Sequence, residues 1–188
     1  NSISEMILTK DNNNAIKYLS KFAGLIRLTL DQTKKSWISI ESTVDYLHKY
    51  LEMEKIRFSD FDYKILLPPH ISNYGIYFPP LIIQPLVENS LWHGLSHIST
   101  DKILIIEFKI VGNNLQCEIN DNGVGYYASQ FNNTRTHEST GIQNILDRIK
   151  LIEMKYNLKM GFQIIDKSEL DPQTTGTIVR LSVPLEVT

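Results

Sequence analysis

The stretch "DKILIIEFKIVGNNLQCEIND", residues 101–121, limits the possible folds more than any other part of the chain. Two runs rich in Ile, Leu, Phe and Val flank a Gly-Asn-Asn turn, and this pattern predicts a long antiparallel hairpin. A hairpin by itself is marginal in water and needs further strands and a cover for its apolar side. "DYKILLP" (62–68) reads as a short strand, and "MGFQIIDKS" (160–168) and "TTGTIVRLSVPL" (174–185) read as a closing pair. Gly141 to Asn157 supplies a cover: Ile142, Ile145, Leu146, Ile149 and Ile152 recur at helical spacing. About five strands with two or three helices predict one α+β unit from residue 61 to 188.

Residues 1–60 read as helix. Ile16, Leu19, Phe22, Ala23, Ile26 and Leu30 mark one face of a first long helix. "KDNNN" (10–14) before it is a turn and cap cluster, with Asp11 or an Asn as the cap. Ser39 is a candidate N-cap for a further helix, whose face is Ile40, Val44, Leu47, Leu51 and Phe58. Asp45 and Lys49 are four apart on its other side and can pair. Such stripes need a partner: a hairpin of helices used for dimerisation is the expectation for 1–60, and packing on the chain's own domain is the alternative.

Charge and cysteine content narrow the function classes. Lys and Arg number 19 against 21 Asp and Glu, a net charge of −2, so no basic excess suggests nucleic acid. Cys117 stands alone inside a predicted strand, where a buried reduced thiol fits a reducing compartment such as the cytoplasm. No run approaches the ~18 apolar residues of a membrane span. The chain opens at Asn1 without an initiating Met and reads as a fragment.

Four short motifs carry chemistry. "LIIQPLVENSLWHG" (81–94) reads as a buried helix opened by Pro79 and Pro80, yet it holds Glu88, Asn89 and His93. Asn89 and His93 are four apart and share a face, with Glu88 beside it. A buried carboxylate must be paired, neutralised or bound to a cation. An amide oxygen with a nearby carboxylate suits Mg²⁺ held together with phosphates. A hydrogen-bonded polar trio serving structure alone is the other reading. "DNGVG", Asp121 to Gly125, follows a strand; it is turn chemistry, or a place where backbone approaches a ligand. "STGIQN", Ser139 to Asn144, places Gly141 where a loop becomes a helix: a phosphate site, or a helix capped by Ser139 or Thr140. "TTGTIV" (174–179) enters the last strand. Residues 122–140 are polar and aperiodic, and a loop of that length in a compact domain is usually functional or disordered.

Taken together, the order and spacing of these motifs resemble the ATP-binding domain of the GHKL superfamily, whose members include gyrase, MutL and sensor histidine kinases. "QPLVENSLWHG" is similar to that family's N box, "DNGVG" to its first glycine box and "STGIQN" to its second. The LytS-type sensor histidine kinases give the nearest match. "LEMEKIRF" (51–58) and "FPPLIIQPLVEN" (78–89) resemble that subgroup, and "LSKFAGLIRLTL" (19–30) resembles its second dimerisation helix. The resemblance covers nearly the whole chain.

The resemblance implies a GHKL (Bergerat) two-layer sandwich with a mixed sheet, preceded by the helical segment. Asn89 would hold Mg²⁺ bridging the ATP phosphates. Glu88 would polarise or deprotonate the attacking group, or help hold the metal through water. Asp121 would receive the adenine amino group. Gly123 and Gly125 would shape the nucleotide pocket, residues 126–140 would be a lid, and Gly141 with neighbours such as Asn144 would cover the phosphates. Thr177 would lie near the adenine. His93 is expected near the phosphates, or as a packed neutral side chain. The sequence departs from the subgroup at Trp92, where Lys is common before His-Gly, and at Ser139, the usual first glycine of the second box.

In the family the acceptor His opens the first dimerisation helix, and "NSIS" (1–4) resembles the text just after it. The acceptor would therefore lie a few residues before Asn1. His48, His70, His97 and His137 are not at the matching position. The function implied is the cytoplasmic catalytic part of a sensor histidine kinase whose membrane segment lies upstream. It would act as a homodimer and pass phosphate to a response regulator. A degenerate kinase kept as a dimeric scaffold competes with this reading. A GHKL protein that phosphorylates a partner's Ser or hydrolyses ATP as a clamp is a third, disfavoured by the helical arm.

Overall fold

The computed structural model describes residues 12–58, 60–72, 75–99, 101–132 and 138–185. Helix α1 spans Asn12–Thr33. The strand β1, Ile38–Ser39, leads into helix α2, Ile40–Arg57. Ser39 caps α2: its hydroxyl accepts from the Ser42 N–H at 3.2 Å. Lys49 pairs with Asp45 on the exposed side. The cap expected from Asp11 lies outside the described residues.

Strand β2, Phe61–Leu66, is followed by the short helix α3, Pro69–Ser72, and the two-residue strand β3, Tyr77–Phe78. β1 and β3 pair antiparallel. Sequence reading missed this small sheet, because two-residue strands carry no periodicity. Helix α4, Gln84–Asn89, continues into a wide π-helical turn, Ser90–Gly94, and a last 3₁₀ turn, Leu95–His97. Pro79 and Pro80 do not open it. Leu81 takes φ 56°, a left-handed conformation that interrupts helix, and Pro85 occupies the first turn instead.

β4, Lys102–Val111, and β5, Asn114–Asp121, form the predicted hairpin. Helix α5, Tyr126–Asn132, precedes α6, Glu138–Tyr156. The chain closes with β6, Gly161–Asp166, and β7, Thr177–Pro184. The main sheet runs β2-β4-β5-β7-β6. β2 and β4 are parallel and the other pairs antiparallel, so the sheet is mixed and the fold is α+β as expected.

One face of the sheet is apolar. Leu104, Ile106 and Phe108 of β4, Leu115, Cys117 and Ile119 of β5, and Val179, Leu181 and Val183 of β7 are all buried. They alternate with half-exposed Glu107, Lys109, Glu118 and Arg180 on the other face, the period-two pattern of a sheet covered on one side. The cover is α2, α4 and α6. Leu47 and Leu51, Leu86 and Val87, and Ile145 and Ile149 join one continuous core with the sheet. Cys117 sits fully buried on the middle strand, and burial pushes its thiol pKa up.

The face predicted for α1 is the exposed one: Ile16, Leu19, Phe22, Ile26 and Leu30 all stand out in solvent. Its buried contacts come from Ala15, Leu25 and Gln32 instead. Among the described residues no helix is long and apolar enough to cross a membrane.

Candidate nucleotide site

Asp121 ends the central strand β5 and is 1% exposed. Its Oδ1 accepts from the Gly123 N–H at 2.9 Å and the Thr177 N–H at 3.2 Å. Burial raises its pKa, opposed by those two donors and by the Ser90 hydroxyl. The group is a fixed acceptor on the lining of an open cleft. Leu86, Ile142, Ile164 and Val179 give the cleft apolar walls, and Asn89, Ser90, His93, Tyr126, Ser129 and Thr177 give it polar ones. A largely apolar cleft with one buried acceptor on its lining suits a heteroaromatic ring bearing an exocyclic amine.

Two glycines make this geometry possible. A Cβ on Gly123 would fall 2.4 Å from the Gly94 carbonyl carbon, so the loop after β5 can seat against the end of the π turn only as glycine. There the Val124 N–H reaches the Gly94 oxygen at 3.4 Å. Gly176 takes φ 118°, and a Cβ there would meet the Asp121 carbonyl oxygen at 2.1 Å. Asn122 pins the same loop from the other side: its Oδ1 accepts from the Ile103 N–H at 2.7 Å, and its amide donates to the Asp101 carbonyl at 2.5 Å.

The structure brings together Asn89, His93, Asp121, Gly125 and Thr177, which all line the cleft. Gly141 is near them: a Cβ on it would lie 4.0 Å from the Asn89 Oδ1. Gly123 acts beneath the lining, through the contact with Gly94. Asn144 is exposed and does not line the cleft. Glu88 does not line it either. It is i+4 from Gln84 on an adjacent helix face, and the Gln84 amide donates to its Oε1 at 2.7 Å. Trp92, four further on, packs edge-on against Phe58, with ring centroids 4.7 Å apart, and lies under the Arg57 guanidinium at 3.8 Å.

The polar segment after Gly125 is not wholly irregular. Its first part forms α5, because Asp166 on β6 accepts from the Tyr127 N–H at 3.0 Å and the Tyr127 hydroxyl bonds Glu169. That tertiary cap leaves no trace in the local sequence. Residues 133–137 of the expected lid, His137 among them, lie outside the described residues. Among the described residues α6 begins at Glu138, so neither Ser139 nor Thr140 is the residue before it, and Gly141 sits in its first turn.

Sequence reading also missed Leu86, Ser90, Tyr126, Ile142 and Val179. Each is one turn, one strand pair or one residue from a motif member, so spacing could have found them. Ile164 has only a non-local signal, its register opposite Val179. Among the described residues no group of three or more His, Cys, Asp or Glu side chains could hold a metal by itself. The hard oxygen of Asn89 fits a Mg²⁺ that takes its other ligands from phosphates and water.

The histidine kinase family profile matches residues 1–61. The chain is 33% identical over 122 residues to the sensor protein LytS of Oceanobacillus iheyensis, covering 64% of this chain and 20% of that protein. It is 25% identical over 187 residues to LytS of Staphylococcus saprophyticus, covering 98% of this chain and 30% of that protein. The chain is thus similar to the LytS sensor proteins and, at its N-terminal third, to the histidine kinase family. It spans 20% to 30% of the length of those two relatives.

The chain also shares its fold with solved structures. The histidine kinase domain of the Erythrobacter litoralis EL346 blue-light activated kinase superposes with a TM-score of 0.56 at 13% identity. That match covers 98% of this chain and 93% of the other. The catalytic domain of the histidine kinase ThkA gives 0.53 at 13% identity, over 79% of this chain and 96% of the other.

Proposed function

We propose that this region binds ATP with Mg²⁺ in the cleft and directs the γ-phosphoryl to a His of the dimerisation helix upstream of Asn1. From there the phosphoryl passes to an Asp of a response regulator. The observation that carries the reading is the buried Asp121, oriented by two backbone donors on the lining of a largely apolar cleft. Its acceptor oxygen selects the adenine amino group, and Thr177 lies beside it. Gly125 allows the wall to approach the base. Asn89 would hold the metal in the same cleft, with His93 on its lining and Gly141 beside Asn89, on the phosphate side; Asn144, which does not line the cleft, is left without that role. Mg²⁺ supplies neutralisation of phosphate charge when bound. The rest of catalysis is positioning of the acceptor against the phosphate.

Glu88 faces the helical segment and not the cleft, which supports a role on the incoming acceptor over a role on the metal. One ring nitrogen of the His would attack phosphorus as ADP leaves, and Glu88 would take the proton from the other ring nitrogen. Residues 1–60 form the dimerisation part and 61–188 the nucleotide part. The exposed stripe of Ile16, Leu19, Phe22, Ile26 and Leu30 supports a homodimer through α1. The placement that goes with this reading is the cytoplasmic side of a membrane-anchored bacterial sensor, with no nucleic-acid partner.

The test is calorimetric titration of the chain with a non-hydrolysable ATP analogue, with and without Mg²⁺. Asp121→Asn keeps an oxygen for the Gly123 and Thr177 donors but turns an amide donor toward the ring amine. It should weaken binding on the order of 10- to 100-fold. Asn89→Ala should remove the Mg²⁺ dependence. No Mg²⁺-dependent binding to a folded wild type rejects the reading and leaves a dimeric scaffold.

A further inference from the structure

A chain of hydrogen bonds runs from α1 to the N box outside the cleft. The Thr29 hydroxyl on α1 lies 3.1 Å from the Tyr46 hydroxyl on α2. Tyr46 bonds the Gln84 side-chain oxygen on α4, and the Gln84 amide nitrogen donates to Glu88 at 2.7 Å. Three helices thus meet in one line of polar atoms beside a packed core.

Donor and acceptor capacity fixes the direction of this line. A carboxylate can only accept, so Gln84 must present its NH₂ to Glu88. Its oxygen then faces Tyr46, whose single proton is committed to it. Tyr46 can therefore only accept from Thr29. The Thr29 proton has a second claimant, the Leu25 carbonyl of its own helix, at 2.9 Å. The first link is thus a choice between two acceptors, and the position of α1 against α2 decides it. Burial raises the pKa of Tyr46, as does the Glu88 charge, against the Thr29 bond, so Tyr46 remains a neutral donor. The surroundings add constraint: Tyr50 lies near both Glu54 and Glu88 and bonds Trp92, and burial raises its pKa as well.

We propose that Tyr46 and Gln84 are positioning residues that hold the Glu88 carboxylate on the side of α4 facing the helical segment, and that Thr29 lets the seating of α1 set that hold. The proposal rests on the reading of Glu88 given above. A shift of α1 that returns the Thr29 proton to Leu25 removes one donor from the line without touching the nucleotide cleft. The helical segment would in this way tune transfer while leaving ATP affinity alone.

Two measurements separate this proposal from the reading beneath it. The first follows the Gln84 side-chain amide by nitrogen–proton NMR in this chain, in wild type, Thr29→Val, Tyr46→Phe and Glu88→Gln. All three near-isosteric variants should move the Gln84 signal, including Thr29→Val, whose side chain does not bond Gln84. A signal unmoved by Thr29→Val and Tyr46→Phe overturns the relay. The second measures phosphoryl transfer at saturating Mg²⁺–ATP in the sensor protein that carries the upstream acceptor His. Tyr46→Phe should slow transfer about 3- to 10-fold with KM for ATP unchanged. It should slow Glu88→Gln no further, because both act through one group. Additive losses, or a loss confined to KM, overturn the positioning role. A Glu88→Gln protein that transfers at the wild-type rate overturns the role given to Glu88, whatever the NMR result.

Discussion

Helices α1 and α2 look alike in sequence and differ in what they bury. Each repeats apolar residues at three-and-four spacing. α2 sinks Ile40, Tyr46, Leu47, Tyr50, Leu51 and Met53 into the core shared with the sheet. α1 is longer, yet it buries only Ala15, Leu25 and Gln32 and leaves Ile16 64% and Leu30 57% exposed. Periodicity reports that a face needs cover; it does not report whether the cover belongs to the same chain. The difference separates the helices: α2, although it lies within residues 1–60, is part of the core shared with the sheet, and α1 is a layer laid against it with an exposed apolar face.

The largest test of that contrast is Leu51→Ala. Leu51 is fully buried, so the cavity should lower unfolding free energy by about 2–5 kcal/mol, measured by urea denaturation. Next is Glu54→Gln, at the seam between the two helices. Glu54 is 4% exposed and its Oε2 has no hydrogen-bond partner. Burial raises its pKa above the ordinary 4.5, against Arg57 and with the Glu88 charge. A raised folded-state pKa gives stability that is present below the unfolded pKa and lost as pH rises through the folded one. Glu54→Gln should therefore melt higher than wild type at neutral pH, and the gap should close as pH falls toward 4.5. An equal gap at every pH would show that Glu54 does not titrate in the seam.

Smaller effects sharpen the comparison. Ser39→Ala removes the α2 cap and should lower stability by about 1 kcal/mol, with no change in nucleotide binding. Leu19→Ser on the open stripe of α1 should change monomer stability by less than about 0.5 kcal/mol. It should nevertheless weaken self-association in sedimentation equilibrium. A Leu19→Ser protein that unfolds as readily as Leu51→Ala would mean that the stripe is covered from within.

Much of the architecture was legible because its signals are local. The β4–β5 hairpin, the α2 cap at Ser39 and the face of α6 follow from alternation, capping and spacing, whereas on α1 spacing marked the exposed face. The misses share a different cause. The start of α4 is set by the backbone of Leu81, and α5 is held by Asp166 from a strand about 40 residues away. The motifs marked most of the residues that line the polar part of the cleft, because Asn89 and His93 are one helical turn apart and Asp121 ends a strand. The direction of Glu88 was harder. Its adjacency to Asn89 suggested a shared site, but a helix turns by about 100° between neighbours, so its hydrogen-bond partner is Gln84, one turn back.

Cys117 makes the sheet report on itself. Its thiol lies at the middle of the central strand, flanked by β4 and β7 and fully buried. Fraying of α1 or opening of the cleft leaves it covered; only separation of the layers uncovers it. The rate at which a small alkylating reagent finds this one sulfur is therefore a clock for whole-domain opening. Nucleotide slows that clock only to the extent that its binding holds the two layers together.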